Sequence, residues 1–94
     1  VHYREAVRLQ PAASQPKYNL ALMFHRAKRL KEAIQLYREV IRLDSNLPAV
    51  HNNLGVALEQ TGDLEAALRQ FRAALALDPA HASARRNLQR VESQ

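Results

Sequence analysis

The side chains that most often carry chemistry are few and scattered in this chain. Four histidines, at positions 2, 25, 51 and 81, are the candidates for metal binding or general base catalysis. A helix brings two histidines together when they are three or four residues apart, and no two of these are. The chain has no cysteine, so disulfides, thiolate nucleophiles and cysteine metal sites are excluded. The pattern therefore predicts no metal site and no cofactor.

Serines and carboxylates are also explained without catalysis. Ser14, Ser45 and Ser83 fall at expected helix starts or turns, where serine satisfies free backbone groups. The glutamates fall at surface positions of amphipathic helices: Glu32, Glu39, Glu59 and Glu65. No glycine-rich phosphate loop is present. We therefore expect a protein that is not an enzyme.

The elements that must position the remaining side chains are helices. The chain has two glycines and many alanine, leucine, arginine, glutamine and glutamate residues, and its aromatic residues are too sparse for strands. The pattern predicts helices at about 1–9, 15–27, 30–43, 49–61, 64–77 and 83–92. We expect Pro11 and Pro79 to end the helices before them. Gly62 suits a left-handed helix end and Asp63 can cap the next helix.

A period of 34 residues runs through the whole chain. It aligns Asn19 with Asn53 and Asn87, Leu20 with Leu54, Ala33 with Ala67, Arg38 with Arg72, and Tyr3 with Tyr37 and Phe71. Small residues recur where two helices must approach closely, as at Ala21 and Gly55. Large apolar residues recur where helices interlock. Such a period is typical of stacked helix-turn-helix units.

On these residues the sequence resembles the tetratricopeptide repeat family. The resemblance covers nearly all of the chain, and its motif residues are Leu54, Gly55, Leu58, Gly62, Ala67, Phe71, Ala74 and Pro79. His51 stands where the family usually has tryptophan, and Lys28 stands in place of a turn glycine. The resemblance implies an all-α fold, an α-solenoid of antiparallel helix-turn-helix units in a right-handed superhelix.

The repeat divides the chain into four segments. We expect a single domain made of the second helix of a truncated repeat (1–13), two complete repeats (14–47 and 48–81) and a C-terminal capping helix (82–94). In the last helix, Arg85, Gln89 and Glu92 form a stripe whose counterparts in complete repeats are mostly apolar or small, which is typical of a solvated cap. We therefore expect the C-terminal end of a longer array, with an exposed apolar face on its N-terminal half-repeat.

The resemblance implies that the first helix of each repeat lines a concave groove that receives a peptide. Asn19, Asn53 and Asn87 lie in register there, and a side-chain amide can both donate to and accept from a peptide backbone. The same asparagines can equally serve packing. Further groove candidates are Tyr18, Leu22, His25, Arg26, Asn52, Val56, Glu59, Gln60, Arg86 and Arg90. Arg86 and Arg90, four residues apart, can hold a carboxylate or remain solvated.

The expected function is a protein–protein interaction module that binds an extended peptide or a partner surface. One alternative is self-assembly into a homo-oligomer through the N-terminal half-repeat. Another is RNA binding, which only the net charge of +5 favours; the basic residues form no run, so nucleic acid is the weaker candidate. No apolar run approaches the roughly 18 residues that a membrane span needs. We expect a soluble, cytoplasmic chain.

Overall fold

Residues 2–94 form five α-helices. The computed structural model describes the backbone of residues 2–94 and the side chains from residue 14 onward. In chain order the helices are α1 (His2–Arg26), α2 (Leu30–Leu43), α3 (Pro48–Gln60), α4 (Leu64–Leu77) and α5 (Ala82–Glu92). No strand occurs within residues 2–94. The prediction of an all-α fold is confirmed.

Consecutive helices are joined by short connections and pack in hairpins. α1 packs on α2 and α3 packs on α4, while α2 also contacts α3 and α4 contacts α5. Each hairpin therefore stacks on the next, which is the arrangement of an α-solenoid. The predicted bounds of α2 and α4 are confirmed to the residue, those of α3 differ by one residue at both termini, and that of α5 differs by one residue at its N-terminus.

The two turns inside the hairpins share one backbone geometry. Gly62 has φ +93°, and Asp63 caps α4 by accepting a hydrogen bond from the Ala66 amide at 3.3 Å. Lys28 stands 34 residues before Gly62 and also has a positive φ, of 64°. A left-handed conformation costs a residue with a side chain about 1–2 kcal/mol relative to a helical one. The first turn thus keeps the geometry of the second although lysine replaces glycine.

The core repeats with the same period as the sequence. Tyr37 and Phe71, which are 34 residues apart, are both 0% exposed. Ala33 and Ala67 are also fully buried at one register. At Gly55 the space of a side chain is already occupied, because a Cβ placed there would meet the Phe71 ring at 2.5–2.9 Å. Gly55 on α3 therefore receives the Phe71 ring of its hairpin partner α4, in line with the prediction that a small residue stands where two helices approach closely.

The N-terminal stretch differs from the prediction. The sequence predicted two helices separated at Pro11, whereas α1 runs from His2 to Arg26 without interruption. The predicted break is wrong because a proline removes one backbone donor and can kink a helix without ending it. Val1 and the side chains of residues 2–13 lie outside the described residues. The truncated repeat expected at 1–13, its apolar face and the remaining segment boundaries stay predictions.

Candidate binding face

One side of the molecule is formed by α1, α3 and α5, which lie side by side. Hydrogen bonds join α1 to α3 and α3 to α5, and α2 and α4 pack against these helices. The groove residues expected from the sequence are distributed over the three helices: Tyr18, Asn19, Leu22 and Arg26 on α1, Asn52, Asn53 and Val56 on α3, and Arg86, Asn87 and Arg90 on α5. We call this surface the α1–α3–α5 face.

Two of the asparagines tie neighbouring helices together. Asn53 Nδ2 donates to the Tyr18 hydroxyl at 2.9 Å, which joins α3 to α1. Asn87 Nδ2 donates to Asn52 Oδ1, also at 2.9 Å, which joins α5 to α3. The two bonds are equivalent, since donors and acceptors are each 34 residues apart. Part of the asparagine row therefore stabilises the stacking of the repeats.

The row keeps further hydrogen-bonding capacity. An amide has two N–H donors and an oxygen with two lone pairs, so Asn53 and Asn87 each retain a second N–H. Asn19 is exposed on α1, and its Oδ1 accepts from Gln15 Nε2 at 3.1 Å. A ligand backbone could therefore still bond to the row without breaking the contacts between helices.

A second set of polar contacts crosses the face nearer the C-terminal ends of the same helices. His25 Nε2 lies 2.9 Å from Gln60 Oε1, and one period later Gln94 Nε2 donates to Glu59 Oε2 at 3.4 Å. His25 Nδ1 lies 2.8 Å from the Tyr37 hydroxyl. Burial raises the pKa of Tyr37, so this hydroxyl stays protonated and can donate to Nδ1, while Nε2–H donates to Gln60. His25 thereby connects α1, α2 and α3.

The two arginines expected to act as a pair have different surroundings. Arg90 forms a two-pronged ion pair with Glu59, with Nε–Oε2 at 3.0 Å and Nη2–Oε1 at 2.5 Å, and it also donates to Asn87 Oδ1. Hydrogen bonds from Arg90 lower the pKa of Glu59. Arg86 is exposed and donates to Ser83 Oγ at 3.3 Å. Arg90 thus already holds a carboxylate of its own chain, whereas Arg86 presents its charge to solvent.

Apolar and basic side chains complete the face. Leu22 and Val56 occupy the same register on α1 and α3, and both are half-buried against the core. Tyr18 is half-buried as well, while Arg26 is exposed at the end of α1. The face therefore alternates amide groups with apolar contacts and exposed cations.

The sequence did not reveal how the polar residues pair across the helices. Each contact joins residues 35 apart, one more than the repeat period: Tyr18 with Asn53, Asn52 with Asn87, His25 with Gln60, and Glu59 with Gln94. A residue on one first helix thus meets the position after its repeat equivalent on the next first helix, and the 34-residue alignment alone does not show this. A sequence signal for this pairing is two polar residues 35 positions apart whose counterparts, 34 positions later, are again two polar residues.

His51, which stands where the family usually has tryptophan, connects α3 with α4 and with the segment before α3. Its side chain is buried, with Nε2 donating to the Ser45 carbonyl at 2.9 Å and Nδ1 lying 2.8 Å from the Gln70 side-chain amide. Both ring nitrogens are thus engaged within the protein. His81 has a role that the sequence did not suggest, because its Nδ1 accepts from the Ala84 amide and caps α5.

The part of the chain that the structure describes has neither a metal cluster nor a membrane-spanning helix. No group of three or more histidine, aspartate or glutamate side chains there is arranged to hold a metal ion. No helix there is both long enough and apolar enough to cross a membrane.

Comparison with solved structures finds the same fold. Structures of two mutants of MamA superpose with TM-scores of 0.81 and 0.80, each at 24% sequence identity. The first match covers 94% of this chain and 48% of the other, and the second covers 95% and 67%. The chain thus spans about half the length of the first of these proteins. No curated protein matches the sequence.

Comparison with protein families finds two matching models. One, described as TPR repeat, matches residues 21–62, and the other, described as tetratricopeptide repeat, matches residues 48–81. Together they extend from α1 to the end of the α3–α4 hairpin, over the helices that carry the repeating core. The chain therefore belongs to the tetratricopeptide repeat family.

Proposed function

We propose that this chain is a non-catalytic, cytoplasmic protein-interaction module and that its α1–α3–α5 face holds an extended peptide or a partner surface. Tetratricopeptide repeats generally mediate interaction or assembly between proteins. The observation that supports this site is the row of Asn19, Asn53 and Asn87, in register on three adjacent helices and still able to bond.

The chemistry of the row favours main-chain recognition. An amide can donate to a peptide carbonyl and accept from a peptide N–H, and these groups occur in every extended segment. Leu22 and Val56 lie beside the row and offer apolar contacts for side chains. In this arrangement the amides supply affinity for an extended backbone, and the flanking residues supply selectivity.

The test is a triple substitution of the asparagines. The chain is first used to capture a partner from cell extract, and the partner is identified by mass spectrometry and prepared pure. Asn19→Ala/Asn53→Ala/Asn87→Ala should then weaken binding by at least about tenfold in calorimetry, since each lost hydrogen bond contributes about 0.5–1.5 kcal/mol. Unchanged affinity for the pure partner would reject the asparagine mechanism.

A matched control separates ligand contact from helix stacking. Tyr18→Phe removes the hydroxyl that Asn53 bonds to and keeps the asparagine itself. If Asn53 acts on the ligand, Tyr18→Phe should bind nearly as well as the unchanged chain. If Tyr18→Phe weakens binding as much as Asn53→Ala alone, the asparagine acts by stacking the helices and does not contact the ligand.

Self-assembly is a second candidate function, which the exposed apolar side chains of α1 favour. Leu20 and Met23 are 41% and 61% exposed, whereas Leu54 and Ala57, one period later, are 1% and 0% exposed. We expect the mass measured by light scattering to rise with concentration and Leu20→Glu/Met23→Glu to keep the chain monomeric. Leu77→Glu, at a 40% exposed leucine on α4, is the control. A mass independent of concentration in the unchanged chain would exclude this candidate.

A further inference from the structure

The side of α2 that faces away from the core carries a shallow groove. Ala33, Tyr37 and Val40 of α2 are buried, and the groove lies on the opposite side of the helix, with a volume of about 370 Å³. Its lining residues recur at helical spacing: Lys31, Ile34, Gln35, Arg38 and Arg42. From Lys31 to Arg42 the helix rises roughly 16 Å at about 1.5 Å per residue. The groove is therefore long enough for several residues of a partner segment.

The three cations of this groove form no ion pair with the described part of the chain. The glutamates nearest in sequence are engaged by other residues: Glu32 pairs with Arg29 at 2.8 Å and Glu39 with Lys17 at 3.0 Å. Among residues 14–94 no carboxylate forms an ion pair with Lys31, Arg38 or Arg42. The outer face of α2 thus presents three positive charges in one row.

The fold itself does not require this charge. The same face of α4, one period later, carries Glu65, Leu68, Arg69, Arg72 and Ala76. There a glutamate replaces Lys31, an alanine replaces Arg42, and Arg72 pairs with Glu92 at 3.3 Å. The α4 hairpin is built on the same buried register with a nearly neutral outer face. Of the two helices α2 and α4, only α2 therefore carries the basic row.

We propose that the groove along α2 is a second docking surface, separate from the α1–α3–α5 face, and that it takes an acidic, amphipathic segment of a partner protein. Guanidinium groups hold carboxylates through parallel donors, so Arg38 and Arg42 suit two acidic side chains and Lys31 a third. Ile34 is half-buried in the floor, and the aliphatic stems of the cations extend that apolar surface. An apolar side chain between carboxylates fits this lining, whereas a nucleic-acid backbone offers no apolar group to Ile34.

The probe for this proposal is a short synthetic peptide of glutamate, leucine and serine, titrated into ¹⁵N-labelled chain. We expect the amide signals of residues 31–42 to shift. Replacing the glutamates of the peptide by glutamine should reduce its affinity about tenfold, since three exposed charge pairs are lost. The Lys31→Gln/Arg38→Gln/Arg42→Gln variant should show the same loss with the original peptide.

The control variant is Arg69→Gln/Arg72→Gln, which removes two cations from the corresponding face of α4. It should bind the acidic peptide like the unchanged chain, and circular dichroism should show equal helicity in both variants. Equal losses in the two variants would mean that net charge alone attracts the peptide and would overturn the proposal. Signal shifts confined to α1, α3 and α5 would also overturn it, and they would leave the proposed function standing.

The last test of the proposal uses a single-stranded RNA oligomer as the competing ligand. Binding by phosphate contacts falls steeply with salt, and it would not depend on the leucines of a peptide. If RNA shifts the α2 signals and the acidic peptide does not, the surface is a polyanion site and the proposal is wrong. If replacing leucine by serine in the peptide weakens its binding, as we expect, the apolar floor takes part.

Discussion

Replacing Phe71 with alanine is expected to lower the free energy of unfolding by about 3–5 kcal/mol, the cost of emptying a fully buried aromatic site. The ring is 0% exposed and lies against Gly55, so it fills the contact between α3 and α4. Domains of this size have a total stability of only about 5–15 kcal/mol, and the variant should therefore unfold at much lower urea. Urea titration followed by circular dichroism measures the loss.

The control for this prediction is Met23→Ala. Met23 is 61% exposed, so its truncation should change the free energy of unfolding by no more than about 0.5 kcal/mol. If Phe71→Ala does not fold, Phe71→Leu gives a smaller loss that can still be measured. Equal losses at Phe71 and Met23 would contradict the packing described here.

The helices could be predicted from the sequence because local signals and the repeat agree there. The bounds of α2 and α4 were predicted to the residue, and the second hairpin turn carries both glycine and a capping aspartate. Apolar residues at the repeat register also identified Tyr37 and Phe71 as core. Each of these features is determined by residues close in the chain or by the 34-residue repeat, and both are visible in a single sequence.

The N-terminal helix could not be predicted in the same way. Proline at position 11 predicted a break, yet α1 continues through it. A proline raises the free energy of the helix locally, but it does not decide whether the helix ends there. Packing elsewhere along a long helix can outweigh one lost hydrogen bond. At Lys28 the structure keeps a turn that the residue itself disfavours. Lysine stands there in place of a turn glycine, and the left-handed turn forms nevertheless.

The repeat register predicts which residues share the α1–α3–α5 face, and it does not predict the hydrogen bonds between them. The sequence places the asparagines in register, and the structure adds that Asn53 and Asn87 bond to neighbouring helices. Arg90 was predicted either to hold a carboxylate together with Arg86 or to remain solvated, while the structure pairs it with Glu59. Such partners lie 31 to 35 residues away along the chain. Which of several candidates meet is decided by how neighbouring helices pack, and one sequence does not display this packing.

The first helices of the repeats (α1, α3 and α5) and the second helices (α2 and α4) stabilise the fold in different ways. The first helices are joined to one another by side-chain hydrogen bonds that cross the α1–α3–α5 face. The second helices contribute large buried rings, Tyr37 and Phe71, to the interior. Substitutions on the face should therefore affect the stacking of repeats and ligand binding, whereas substitutions at the rings should affect whether each hairpin forms at all.

Replacing Gly55 with alanine should destabilise the protein, although alanine is the better helix former. In an open helical position this change stabilises by about 1 kcal/mol. Here the new Cβ would lie 2.5 Å from Phe71 Cε1 and 2.7 Å from Cδ1. Forcing a methyl group into a packed core costs about 1–3 kcal/mol, and contacts this short favour the upper part of that range. We expect a net loss of about 1–2 kcal/mol in urea unfolding.

The cause of this loss can be isolated with a double-mutant cycle. In a Phe71→Leu background the ring edge is gone, so Gly55→Ala should cost less there, with a coupling energy of about 0.5 kcal/mol or more. A coupling energy near zero, or a Gly55→Ala chain more stable than the unchanged one, would show that the ring moves aside freely. Because Asn52 and Asn53 lie on the same helix as Gly55, a forced separation of α3 from α4 should also shift their amide signals. The glycine then sets both the closest approach within the hairpin and the position of the asparagines on the α1–α3–α5 face.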